Sequence, residues 1–198
     1  MSEPFIHLHV HSEYSLLDGA IRCTELVETA SSMGMNAVAL TDHGVMYGCE
    51  EFFEKSEKAG IKPIFGCEVY VDPSGIDNRE GKGKNHHLVL WAENETGYRN
   101  LVKLVSLANT EGFYYKPRID HHLLARHAEG LIGSSACLAG EIPSLILSGD
   151  YEAARDRVFL YRDILGEGRF YLEVMHNAIR EQALANRELV RMAPSENF

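Results

Sequence analysis

Phe5-Ile6-His7-Leu8-His9-Val10-His11-Ser12 alternates imidazole with apolar side chains, and Asp18 follows seven residues after His11. A period of two belongs to an extended strand, whose successive side chains point to opposite faces. A first strand over 5–11 therefore places His7, His9 and His11 on one face and Ile6, Leu8 and Val10 on the other. Each imidazole carries a donor and an acceptor that must be satisfied when buried. One or two hydrogen-bonded core histidines are the simpler explanation for an isolated His. A His-x-His pair with a carboxylate nearby has instead the donor types and spacing of a metal cluster.

The bulk properties bound the rest. A chain of 198 residues can bury one sizeable core, or form part of a larger domain. No run is long and apolar enough for a membrane helix, and the start lacks a signal-peptide pattern. Cys23, Cys49, Cys67 and Cys137 are widely spaced and form no Cys-x-x-Cys pair. That usage fits a reducing cytosol and argues against a disulfide scaffold or zinc ribbon. The net charge of -10 makes the chain a poor autonomous binder of a nucleic-acid backbone. Clustered His, Asp and Glu suit cation binding better.

Helical and extended segments alternate along the chain. Helices are expected over 24–33, 47–59, 96–110, 151–165 and 179–192, and strands over 36–41, 62–71, 87–92, 131–137 and 170–175. Residues 72–85, rich in Gly and charge, read as a loop. Short apolar strands separated by helices imply βα units and a parallel sheet. No Gly-x-Gly-x-x-Gly or Walker loop follows any strand, so a nucleotide-binding doubly wound sheet is disfavoured. A βα barrel is preferred, because its catalytic residues sit at the carboxyl ends of the strands. His9, His11, Asp42, His43, Glu68 and Cys137 fall at such ends. His87 instead opens its strand, so either that strand runs against the others or His87 lies in a loop over the site.

Four further elements carry donor atoms. Thr41-Asp42-His43-Gly44 ends a buried strand, Gly66-Cys67-Glu68 offers a bridging carboxylate, His87 an imidazole and Cys137 a thiolate. Nitrogen, oxygen and sulfur donors together suit zinc, manganese or iron better than calcium. Paired cations can clamp the attacking and leaving oxygens of a phosphoester. Asp42 is expected to cap the following turn. Cys67 should face the core opposite Glu68. His86, His121, His122 and His127 stand in polar context and read as surface residues, whereas His176 ends a strand and could reach the site. Arg99, Lys103, Lys116, Arg118 and Arg126 form a loose basic set expected to be solvated.

These motifs resemble the polymerase and histidinol phosphatase (PHP) family. They are His9-Val10-His11-Ser12 with Asp18, Thr41-Asp42-His43-Gly44, Gly66-Cys67-Glu68 and His87-Leu88-Val89-Leu90. The stretch from Gly97-Tyr98-Arg99-Asn100-Leu101 to Gly130-Leu131-Ile132, then Ser135-Ala136-Cys137-Leu138-Ala139-Gly140-Glu141-Ile142-Pro143, narrows the resemblance. It is similar to PHP domains that open bacterial replicative polymerase alpha chains, as are Met1-Ser2-Glu3-Pro4 and Tyr14-Ser15-Leu16-Leu17-Asp18-Gly19.

The resemblance implies an α/β, distorted (β/α)7-type barrel. Its site would hold up to three divalent metals, zinc or manganese in the first place, with magnesium or iron as alternatives. His9, His11, Asp18, His43, Glu68, His87 and Cys137 would be the ligands, and Asp18, Glu68 and His43 would carry the chemistry. Implied, too, is phosphoester hydrolysis or 3′–5′ exonuclease proofreading within a DNA-directed DNA polymerase. The partners would be a DNA 3′ end, the rest of the alpha chain and replisome subunits, in the cytoplasm. The family's last ligands, an Asp-x-His pair, should follow the helix at 179–192. The chain departs there, with Pro194 breaking the helix and an atypical tail over 193–198. The expectation is thus a PHP domain over 1–192 lacking its last βα unit. A stand-alone phosphatase of the histidinol-phosphatase type, and a purely structural metal-binding domain, are the alternatives.

Overall fold

A computed structural model describes residues 5–16, 18–79 and 85–193. The expected features at Met1–Pro4, at Leu17, at 80–84 and in the tail beyond Ala193 lie outside the described residues. In chain order the elements are α1 (Cys23–Ser32), β1 (Ala37–Leu40), α2 (Cys49–Ala59), β2 (Lys62–Val71) and β3 (His86–Ala92). They continue with α3 (Glu95–Thr110), β4 (Arg118–Ile119), α4 (His121–Arg126) and β5 (Leu131–Ser134). The chain ends with α5 (Glu141–Ser148), α6 (Tyr151–Leu165), β6 (Phe170–Tyr171) and α7 (Arg180–Met192). Local chemistry sets many of these limits. The side chains of Asn94, Asp120 and Asp150 accept from backbone N–H groups at the starts of α3, α4 and α6. Gly60 ends α2 in the left-handed conformation.

The sheet runs β1-β2-β3-β5-β6, with β4 also paired to β2. β1 and β2 are parallel, as are β5 and β6, but β3 is antiparallel to both its neighbours. Of the two explanations for the position of His87, the reversed strand holds: β3 runs against its neighbours in an otherwise parallel sheet. The start of a reversed strand lies beside the carboxyl ends of the others. Tyr70, near the end of β2, pairs with His87.

The opening segment is also a correction. Residues 5–11 are extended beside β1 but build no regular ladder. Ala39 N donates to His7 O and Thr41 N to Val10 O, so three steps on one side match two on the other. The extra residue breaks the strict alternation. His9 and His11 turn toward the sheet interior, whereas His7 is exposed and meets the ring of Phe5.

The sheet curls so that its two faces differ. Its outer face carries the largest core, where Val69, Leu88, Leu90 and Leu131 pack against Leu101 and Leu104 of α3 and Val158 and Tyr161 of α6. Val38 and Leu40 pack outward on α1 and α2. The inner face holds a small cluster of Ala39, Val89, Trp91 and Ala136, with Ile64 and Ile132 beside it. Across this interior the Trp91 indole N–H donates to Leu8 O at 2.7 Å. Among the described residues the sheet does not close. A cavity of about 1180 Å³ lies between the opening segment and the stretch after β6, lined by residues that include Leu8, Phe65, Trp91, Ile132 and Val174.

Two buried ion networks brace the loops and helices. Arg118, expected to be solvated, is fully buried: Nη1 donates to Asp72 Oδ2 at 2.6 Å. Its remaining N–H groups reach the carbonyls of Ile76, Asn78 and Gly112. His121, expected at the surface, is half-buried against Glu141 Oε2 (2.9 Å) and the Tyr161 hydroxyl (3.2 Å). Arg157 binds the other oxygen of Glu141 at 2.8 Å, which ties α4, α5 and α6 together. His86 and His127 are likewise half-buried rather than fully exposed.

Candidate metal centre

Glu68 is the hub. Strand alternation puts Ile64, Glu68 and Tyr70 on the inner face of β2 and Cys67 and Val69 on the outer. The Cys67 side chain is accordingly buried in the core, where burial pushes its thiol up. Glu68 itself is 1% exposed. Four imidazoles surround its carboxylate. His11 Nε2, His43 Nδ1 and His9 Nε2 lie 2.8, 3.1 and 3.3 Å from Oε2, and His87 Nδ1 lies 2.9 Å from Oε1. Cys137 Sγ completes this side, 3.4 Å from His87 Nδ1 and 3.7 Å from Glu68 Oε1. On the other side Asp18 Oδ2 sits 2.6 Å from His43 Nε2 and 3.4 Å from His11 Nδ1. All seven residues singled out in the sequence, His9, His11, Asp18, His43, Glu68, His87 and Cys137, thus meet in one place.

The local backbone delivers each side chain. His43 lies just past β1, locked to β2 because Glu68 N donates to Asp42 O and Gly44 N to Glu68 O. Gly44 turns there with φ +62°, and a Cβ on it would meet Pro117 at 2.7 Å. Asp18 arrives on a turn from Ser12 to Gly19. A Cβ at Gly19 would stand 1.8 Å from Ser12 O, so this return admits only glycine. Asp42 is buried and takes no place among the donors. Its carboxylate accepts from Ser12 N, Ser12 Oγ and Ser15 Oγ, so it pins the earlier turn rather than capping the following one. Cys137 is brought in by Ala136, which adopts φ 56°, a costly conformation for a residue with a Cβ.

Glu173 was missed in the sequence. Its Oε1 lies 2.7 Å from His9 Nδ1, its Oε2 accepts from Ser134 Oγ at 2.6 Å, and its N–H donates to Ser135 Oγ. A carboxylate behind one ring nitrogen fixes the tautomer and aims the other nitrogen, here Nε2, at the cluster. The signal was a carboxylate two residues past the β6 strand, on the same side of the sheet as the cluster. His176 is exposed, lines the cavity and does not join the cluster.

The electrostatics are those of a crowded donor set. Burial opposes the ionisation of Glu68, but the imidazoles of His11, His87 and His9 outweigh it and hold the carboxyl far below its usual range. Burial likewise opposes charge on His9, yet Glu173 and Glu68 raise it to about 10. His87 is raised to about 9 by Cys137 and Glu68 against its burial. His43 moves the other way, because burial outweighs the attraction of Glu68.

A divalent cation fits these residues. His11 Nε2, His43 Nδ1 and Glu68 Oε2 are all buried and lack a hydrogen-bond partner, although they face one another. Buried polar atoms without partners are rare and costly. Three triads have donor atoms within 4.8 Å of one another: His9–His11–Glu68, His11–Asp18–His43 and His43–Glu68–His87. Each shares members with the next.

A curled α/β sheet with imidazoles and carboxylates converging at its carboxyl rim has the organisation of a metal-dependent α/β protein. The PHP domain model matches residues 7–177, and the chain belongs to that family. It is 45% identical over 190 residues to the DNA polymerase III subunit alpha of Borreliella burgdorferi, covering 94% of this chain and 16% of that protein. It is 48% identical over 193 residues to the DNA polymerase III subunit alpha of Treponema pallidum, covering 96% of this chain and 16% of that one. The chain thus spans about a sixth of the length of these relatives. A solved structure from Bifidobacterium adolescentis, assigned as a metal-dependent phosphoesterase, shares the fold with a TM-score of 0.55. It is 14% identical and covers 94% of this chain and 84% of that one.

Proposed function

We propose that this chain is the phosphoesterase module of a bacterial replicative DNA polymerase alpha chain, and that it hydrolyses the terminal phosphodiester of a DNA 3′ end. One observation carries the reading: four histidines gather around a single buried carboxylate, Glu68, with donor atoms left unpaired, and Asp18 meets two of those histidines from the other side. In this reading His9, His11, Asp18, His43, Glu68, His87 and Cys137 hold divalent metals, zinc or manganese, up to three in number. When bound, these cations would supply the Lewis acid that polarises a phosphoryl oxygen and an attacking water. Glu68 and Asp18 would hold and bridge the cations. His43, whose buried ring favours the neutral form, would face the cations with Nδ1 and donate its Nε2 N–H to Asp18, holding that carboxylate in place. Glu173 would orient His9.

The polymerase context comes from the relatives, whose matching segment covers nearly the whole of this chain. It favours that reading over a stand-alone phosphatase of the histidinol-phosphatase type. The DNA 3′ end, the remaining alpha chain and replisome subunits would then be the partners, in the cytoplasm. Among the described residues no helix is long and apolar enough to cross a membrane.

The test uses the full-length protein, a primer with a 3′ mismatch and manganese. The wild type should trim the primer and His11→Ala should not. Equal trimming by both would refute the proofreading role.

A further inference from the structure

Beside the cluster stands a loop that none of this chemistry uses, Glu111-Gly112-Phe113-Tyr114-Tyr115-Lys116-Pro117. It is held from behind. Arg118 Nε donates to Gly112 O, and Arg79 donates to the carbonyls of Phe113 and Glu111. The two guanidinium groups lie against the Tyr114 ring at 5.2 and 5.5 Å. Tyr114 N donates to Lys116 O across the tip, which forces Tyr115 to φ 59°. A tyrosine in the left-handed region is strained and persists only where its surroundings fix it.

What this bracing presents is unusual for a surface loop. Phe113 is 55% and Tyr115 67% exposed. Two large aromatic rings kept in water on a rigid tip are a sign of recognition rather than packing. The Lys116 ammonium stands 5.2 Å over the Tyr70 ring. Tyr70 in turn stacks on His43 with centroids 5.6 Å apart and planes within 14°, and meets His87 edge-on at 5.3 Å. The loop is thus two ring contacts from the donor cluster. Its tip carries two exposed rings, Phe113 and Tyr115, the latter edge-on to Tyr114 at 4.7 Å, and a cation beside the cluster, on a chain whose net charge is -10.

We infer that Phe113, Tyr115 and Lys116 form a binding platform for single-stranded nucleic acid, with bases stacked on the two rings and a backbone phosphate paired to Lys116. This rests on the phosphoesterase reading above and adds to it how the strand is seated. Aromatic stacking is tolerant of base identity, because every base has a π-face, and one cation beside it selects a phosphate backbone. Lys116 would draw an anionic strand to the side of the cluster where Tyr70 lies. The rigid tip would not have to be ordered on binding.

Photo-crosslinking tests the inference without relying on turnover. A single-stranded oligodeoxynucleotide with 5-iodouracil at its 3′ terminus is irradiated with the metal-free, full-length protein, and adducts are mapped by mass spectrometry. Adducts on Phe113 or Tyr115 are expected, reduced by Lys116→Met. Adducts confined to other parts of the protein would overturn it, as would a loop shielded by another segment of the full-length chain. The second arm measures trimming. Tyr115→Asn keeps a residue that tolerates positive φ while removing the ring. It should raise KM for the strand about tenfold, within the range of one lost stacking contact, and leave kcat unchanged. An unchanged KM in an active enzyme also contradicts the platform. Loop adducts without any trimming in the wild type would instead uphold the platform and count against the phosphoesterase reading.

Discussion

Glu68 Oε2 and His11 Nε2 face each other at 2.8 Å, both shut off from solvent, yet off the line a hydrogen bond would take. Two buried polar atoms this close, each without a hydrogen-bond partner, leave desolvation uncompensated that a shared cation would offset. His43 Nδ1 is in the same condition against the same oxygen, 3.1 Å away. The geometry is better explained by donors directed at a common cation than by pairwise ion pairs.

Glu173 should matter through His9. Glu173→Gln keeps the shape but weakens the acceptor behind His9 Nδ1, now 2.7 Å from the carboxylate. Loss of such an outer partner costs about 10–100-fold in metal affinity. Competition of zinc between the full-length protein and a chromogenic chelator measures this. Affinity within twofold of wild type would remove Glu173 from its orienting role.

Arg118 and Asp72 form a pair with both side chains buried. Removing one partner strands the other charge away from water, at about 3–5 kcal/mol. Arg118→Ala should lower stability by that amount in urea titration. Arg118→Lys should recover little, because one ammonium cannot reach Asp72 and the carbonyls of Gly112, Ile76 and Asn78 together.

Acid should loosen the helical side of the molecule through Glu141. Burial resists its ionisation, but His121, Tyr161 and Arg157 prevail and hold its carboxyl below the ordinary range. A carboxylate whose folded pKa is depressed adds stability that is complete above its unfolded value near 4.5. That stability is lost as pH falls through the lower, folded value. Glu141→Gln should therefore be less stable than wild type at neutral pH, and the difference should shrink as pH falls below about 4.5. Thermal unfolding between neutral and acid pH reads both curves. A gap that widened in acid would contradict the network.

Much of this was legible in the sequence. The strand at 62–71 and the helix at 151–165 match β2 and α6, because long periodic runs with Gly or Asp at their ends leave little ambiguity. The donors were legible because His-x-His and strand-end carboxylates are local patterns. What failed was not local. The opening segment lost its regular alternation to an offset against β1 that only tertiary pairing reveals. Arg118 looked like any surface cation until Asp72, 46 residues earlier, was folded onto it. Glu173 is 164 residues from His9. α4 and α5 are short, and Pro143 disguises the latter, although at an early helix position it costs no hydrogen bond.

The central claim is that Glu68 organises a metal centre. Isothermal titration of zinc into the metal-free full-length protein, beside Glu68→Gln, tests it most directly. At least one zinc per chain should bind the wild type, with affinity reduced by at least about 100-fold in the variant, more than an outer partner alone would cost. The same stoichiometry and affinity in both proteins would show that the four histidines do not gather around Glu68 for the sake of a cation.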